Sequence, residues 1–468
     1  MDILAVDPVP WARAQMAFTL AVHIVLVPLG VSWAAMTLIA NYRAIKNNDA
    51  DAMRLAQRWS KVMAVTFAVG AVTGTVLTFE FGLLWPQFMS QWGDAFGIPF
   101  AIEGLFFFTE AIFIAIYLYG WKRLRPWPHF WSGVPIAVAG IGGSFAVVAA
   151  NSWMNQPAGF TLDAAGKIVD VDPLGVIFNQ ATPYETTHMI VAAYLVGGFM
   201  VASVYAFAML RGRTERYYRL GFIIPFTVAA IATPVQMVVG DFAARSVFHD
   251  QPVKFAAMEL VDQNATDVPE TLGGYLGSDG EVHLGVPIPG LASLLSGFST
   301  STEIDGLDSV PASDRPTVSQ VNTVHLAWDV MVGLATALLA LVIWFAFVWW
   351  RKRALPRSKW FLRFGAISGI AAVIALEAGW VVTEVGRQPW IVYDYMRVED
   401  GATTNSGVWI TFLGVVVLYA AVVVTLIIVL RGMAQRWRAA ELAGDEDIDP
   451  HDTPYGPRSH RERETERV

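Results

Sequence analysis

The chain has 468 residues, 55% of them apolar and only 15% charged, against about 25% charged in an ordinary soluble protein. With 28 Phe, 18 Trp and a mean hydropathy of +0.46, this excludes a disordered chain, a coiled coil and a conventional soluble enzyme. It describes a polytopic helical membrane protein. The absence of Cys removes disulfides, Cys-ligated zinc, iron–sulfur clusters and thiolate catalysis, and a net charge of −8 argues against a nucleic-acid partner.

Taken in chain order, hydrophobic stretches long enough to span a bilayer predict an all-α fold of nine transmembrane helices. They lie at about 15–40, 62–83, 100–120, 131–150, 186–210, 219–239, 323–350, 360–383 and 406–430. Pro28, Gly30, Gly70 and Gly74 interrupt them, which bilayer helices tolerate. The leader MDILAVDPVP is acidic and lacks a basic n-region, so the first run reads as a span rather than a cleavable signal. Alternate connections hold 25 of the 32 basic residues: segments 41–61, 121–128, 211–219, 351–363 and the C-terminal tail. The positive-inside rule then places the N-terminus outside and the C-terminus in the cytoplasm. Residues 1–430 form the membrane domain and include a long outer loop at 240–322. Residues 431–468, charged and containing Pro and Gly, are expected to be a disordered tail. Residues 151–185 read as a small ordered cap, and no internal repeat is evident.

The informative residues are polar groups inside these spans, where hydrocarbon should exclude them. His23 lies in AFTLAVHIVLVPLG, His188 in YETTHMIVAAYLVGG and Met331 in HLAWDVMVGL. Glu80 closes the second span. Glu103 and Glu110 share one face of the third at seven-residue spacing, as do Glu377 and Glu384 in the eighth. Under the expected topology these candidates form one layer toward the outer face. Each has a bland account: His can bond a neighbouring helix, Met is ordinary core filling, and Glu384 can pair with Arg387. Together they change the odds, because His and Met are axial ligands for haem iron and acidic pairs suit proton relays.

At this point RAQMAFTLAVHIVLVPL, AIEGLFFFTE, ANSWMNQP, KFAAMEL and GWVVTEVGRQPW, spread over about residues 10–430, resemble subunit I of the cytochrome bd quinol oxidases. The resemblance implies a low-spin haem b ligated by His188 and Met331. It implies a high-spin haem b and a haem d at the His23 and Glu384 positions, in an order that differs between members. It further implies that Glu103 faces the His-ligated haem, that Glu110 lies on a proton path, and that Glu80 and Trp380 lie beside the haems. Lys254 and Glu259, from KxAAxE, would belong to the quinol site. Two departures stand out: the paired glutamates are seven apart where some members have eight, and Asp329 stands where an arginine is expected.

The implied function is a respiratory terminal oxidase subunit of a bacterial cytoplasmic membrane. It would oxidise quinol at the outer face, reduce dioxygen to water and generate proton motive force without pumping. Its implied partners are a second large membrane subunit, with small single-span subunits as further candidates. A proton-coupled secondary transporter would explain the carboxylates but not Met331 or GRQPW. A haem-b anchor of another respiratory complex would explain the histidines but not the glutamate pairs.

Overall fold

The computed structural model describes residues 7–356 and 358–443. The chain enters the bundle as α1 (Pro8–Ile24) and α2 (Val27–Asn47), followed by α3 (Ala50–Leu84), α4 (Pro86–Gly120) and α5 (Pro126–Asn155). Strands β1 (Phe160–Leu162) and β2 (Ile168–Val171) form a hairpin that leads through α6 (Pro173–Ile177) to α7 (Thr182–Leu210) and α8 (Arg216–Asp250). The next connection carries α9 (Pro252–Glu259), β3 (Glu270–Leu272), β4 (Tyr275–Leu276), β5 (Val282–His283), β6 (Val286–Ile288) and α10 (Leu291–Gly297). Here β3 pairs with β6 and β4 with β5, all antiparallel. Then come α11 (Val318–Lys352), α12 (Lys359–Gly386), a short hairpin of β7 (Trp390–Val392) and β8 (Met396–Arg397), α13 (Val398–Gly401) and α14 (Val408–Ala443).

Among the described residues nine spans are long and apolar enough to cross a membrane, as the sequence predicts. Three boundaries differ from expectation. The first span is two helices: Pro28 has no N–H to give Ile24, the turn tightens to a bond from Leu26 N–H to the His23 carbonyl, and the chain breaks just after His23. The long connection is shorter than 240–322, because α8 runs to Asp250 and α11 opens at Val318 with a Thr317–Gln320 capping box. Residues 431–443, expected in the tail, are the last turns of α14, where Met433 is buried and Glu441 accepts from Arg58. The rest of the expected tail, 444–468, lies outside the described residues.

Within lipid, helices associate through close packing and small residues rather than through a hydrophobic drive. Helix α7 is packed on that principle. A Cβ at Gly198 would meet the Pro225 carbonyl of α8 at 2.7 Å, one at Gly197 would meet Ser32 of α2 at 1.9 Å, and one at Gly369 of α12 would meet Met200 at 2.9 Å. Fully buried Phe199, Phe222, Phe226 and Phe361 fill the space between these backbones. The connections α2–α3 and α7–α8 share one face, where Arg216 pairs with Asp49 at 2.5 Å and with Asp51 at 3.0 Å. The hairpins, α9 and α10 lie at the opposite face, called here the loop face. There Gln251 bonds the Asn155 carbonyl and Tyr393 N–H bonds that of Met154.

Candidate functional site

At the loop-face end of α7, α8, α11 and α12 lies a mainly apolar cavity of about 380 Å³. It brings together five residues singled out from sequence: His188, Met331, Trp380, Lys254 and Glu259. His188 and Met331 enter it from different helices. Two glycines set their surroundings: a Cβ at Gly240 would touch the His188 ring at 3.5 Å, and one at Gly379 would reach the Met331 sulfur at 2.9 Å. The Gln236 amide nitrogen stands 3.2 and 3.1 Å from the two His188 ring nitrogens, and its own carbonyl oxygen is buried without a partner. An imidazole and a thioether facing one apolar cavity, beside an orphaned polar atom, fit the ligation of a low-spin haem.

Lys254 projects from α9 into a buried polar network rather than toward open solvent. Its Nζ bonds Asn155 Oδ1 at 3.3 Å, and Asn155 Nδ2 donates to Glu185 at 2.8 Å. The Glu384 carboxylate accepts from Asn151 at 2.6 Å and from Arg387 at 2.7 Å. The Glu384–Arg387 pair of the bland account therefore exists. It does not exclude metal ligation, since each carboxylate oxygen retains a lone pair. Burial pulls the Lys254 ammonium down to about 8, opposed by the nearby Glu185 carboxylate.

Glu259, five residues on, meets different neighbours. Burial first, then the adjacent Glu270 carboxyl, pushes its carboxyl well above the usual range. A second carboxyl beside a buried one disfavours the charged form of both.

His23 lies outside this group, between α1 and α3. Its Nδ1 is 2.9 Å from Thr73 Oγ1, whose own proton goes to the Val69 or Gly70 carbonyl. With the hydroxyl proton so used, Nδ1 donates to Oγ1 and Nε2 keeps the lone pair that an iron ligand needs. Gln15 and Thr19 of α1 each donate to one Glu80 oxygen, and Thr411 of α14 bonds Gln15. That makes Glu80 a tie between three helices. Glu103 and Glu110 are half-buried on α4 and do not line the cavity.

Sequence reasoning missed Glu185, Asn151, Asn155, Gln236 and Glu270. A signal existed for three of them: Asn151 and Asn155 stand one helical turn apart in ANSWMNQP, and Glu185 lies one turn before His188. Nothing local marks Gln236 or Glu270.

Residues 11–437 match the family model described as cytochrome bd terminal oxidase subunit I. The putative cytochrome bd menaquinol oxidase subunit I of Bacillus subtilis is 30% identical over 91% of this chain and 96% of its own length. The cytochrome bd-II ubiquinol oxidase subunit 1 of Escherichia coli is 25% identical over 88% and 93%. The solved structure of the bd oxidase from Geobacillus thermodenitrificans superposes with a TM-score of 0.85 at 33% identity, covering 93% of this chain and all of that one.

Proposed function

The chain belongs to the family of cytochrome bd terminal oxidase subunit I, and on that premise we propose that it oxidises quinol at the loop face and reduces dioxygen to water. It is a multi-pass membrane protein that assembles with a subunit II. Small single-span subunits and residence in a bacterial cytoplasmic membrane, loop face outward, complete the reading.

The observation that carries it is the single cavity shared by His188, Met331, Lys254 and Glu259. His188 and Met331 would hold a low-spin haem b. His23 Nε2 and the Glu384 carboxylate would hold a high-spin haem b and a haem d. Haem iron held by these residues would supply single-electron transfer and dioxygen binding.

The chain's own residues do the rest. The Lys254 ammonium donates to a quinol oxygen, and the Glu259–Glu270 pair takes up a proton as quinol is oxidised. Arg387 and Asn151 hold the Glu384 carboxylate in one orientation. Thr73 fixes the His23 tautomer. Trp380 stands one helical turn from Glu384 and lines the same cavity as Met331, so it packs the space between the two ligand sites. Glu103 and Glu110, about 10.5 Å apart along α4 at 1.5 Å per residue, carry protons toward the site of water formation. Quinol protons leave on the loop face while protons for water come from the opposite one, so charge separates without a pump.

The test is the visible spectrum of the reduced, purified oxidase, wild type against Met331→Leu. The expected wild-type spectrum contains haem b and the red chlorin band of haem d. The expected variant loses six-coordinate low-spin haem while the chlorin band survives. An unchanged low-spin spectrum removes Met331 from the ligand set.

A further inference from the structure

His325 takes no part in the chemistry above, yet it is buried on α11, six residues before Met331, with 1% of its surface exposed. Its Nδ1 lies 2.7 Å from the Met258 carbonyl oxygen and its Nε2 lies 3.0 Å from that of Gly273. A carbonyl can only accept, and a neutral imidazole has one N–H, so making both bonds requires a proton on each nitrogen. The counter-charge is in place. The Asp329 carboxylate, one turn along α11, stands 3.6 Å from Nε2 and also accepts the Gly273 N–H. Glu270 of β3 and Glu259 of α9 are the other carboxyls grouped around this point.

Both partners are well placed to be steered by one ring. Met258 immediately precedes Glu259 in the last turn of α9, where helix carbonyls have no partner of their own. Gly273 occupies the turn between β3 and β4 with a φ of +66°, a left-handed conformation natural to glycine. One imidazolium thus joins α9, the β3–β4 turn and α11. A neutral ring in the same place could keep only one of the two bonds and would leave the Met258 or the Gly273 carbonyl without its imidazole partner.

We propose that His325 is a positioning residue, held as an imidazolium, that fixes Glu259 at the quinol site by pinning the α9 end and the Gly273 turn to α11. The proposal rests on the reading of Glu259 as a quinol-site residue. A passive staple would need only one N–H, so the protonation state separates the two accounts.

The first experiment is solid-state nitrogen NMR of the intact oxidase with ¹⁵N-labelled histidine rings and ¹³C-labelled Met and Gly carbonyls. His325 is identified as the ring with one nitrogen beside a Met carbonyl and the other beside a Gly carbonyl, so no variant is needed. Two protonated nitrogens near neutral pH are expected, and a bare ring nitrogen at His325 overturns the proposal. The second experiment compares H325Q with E259Q. Loss of a charged hydrogen bond predicts a quinol KM raised roughly tenfold in H325Q, with the haem spectrum and kcat changed far less. If E259Q impairs quinol oxidation and H325Q leaves KM unchanged, His325 does not position the site. If E259Q is as active as wild type, the quinol-site reading has failed instead, and with it the proposed role of His325.

Discussion

Gly379 matters to Met331 because it leaves the space a thioether occupies. A Cβ there would stand 2.9 Å from the sulfur, but the sulfur belongs to a flexible side chain that can move aside. Gly379→Ala should therefore fold, cost less than about 1.5 kcal/mol, and still perturb the low-spin haem spectrum, as a visible and magnetic circular dichroism comparison will show. Thr73→Val makes the complementary change at His23. It removes the acceptor for Nδ1–H, so the high-spin spectrum should change and haem content should fall while the low-spin signal stays. Lys254 gives a pH prediction. Its ammonium, with burial pulling it down to about 8, is protonated below that pH and neutral above it. Quinol KM should rise as pH climbs through about 8, and steady-state KM profiles of Lys254→Met should lack that limb.

Among the elements, α7 is the one that its neighbours constrain most closely. It carries His188 toward the loop face and, nine residues further on, Gly197, where a Cβ would meet Ser32 at 1.9 Å and the Pro28 carbonyl at 2.9 Å. The second of these is backbone and cannot rotate away. Gly197→Ala must push α7 from α2, at a cost of about 1–3 kcal/mol, and thermal unfolding of the solubilised protein should fall accordingly. The same substitution at exposed Gly212, in the connection after α7, meets no atom within 4 Å. It has a φ of +87°, so the cost expected there is backbone strain of about 1 kcal/mol or more, with no displacement of a neighbouring helix.

For the whole molecule, orientation decides on which side of the membrane quinol is oxidised. The positive-inside rule puts the loop face outside, and the structure gathers the other connections on the opposite side. A chain with no Cys makes the test direct. Single cysteines at Ser299 in the long connection and Thr214 between α7 and α8 occupy exposed positions on opposite faces. In intact cells a membrane-impermeant thiol reagent should label Ser299→Cys, and Thr214→Cys only after permeabilisation. The reverse pattern would move quinol oxidation to the cytoplasmic side.

The number of spans, their alternation and the residues at risk in hydrocarbon were legible in the sequence, because transfer into a bilayer is a property of composition over about 20 residues. The helix break after His23 was half-legible: Pro28 was visible, but the tightened turn that absorbs its missing bond was not. The length of the last helix was not legible, because charge in 431–443 suggested an irregular tail, whereas those residues are turns of α14 in which Glu441 pairs with Arg58. Tertiary structure alone decided which candidates share a cavity. His188, Met331, Lys254 and Glu259 come from three helices whose approach depends on glycine contacts far apart in the chain. It also separated near neighbours in sequence: Lys254 faces Asn155, while Glu259, five residues on, faces Glu270. A five-residue step turns a helix by about 140°, so the spacing alone could say that the two residues differ in direction, but only the packed partners could say what each direction meets.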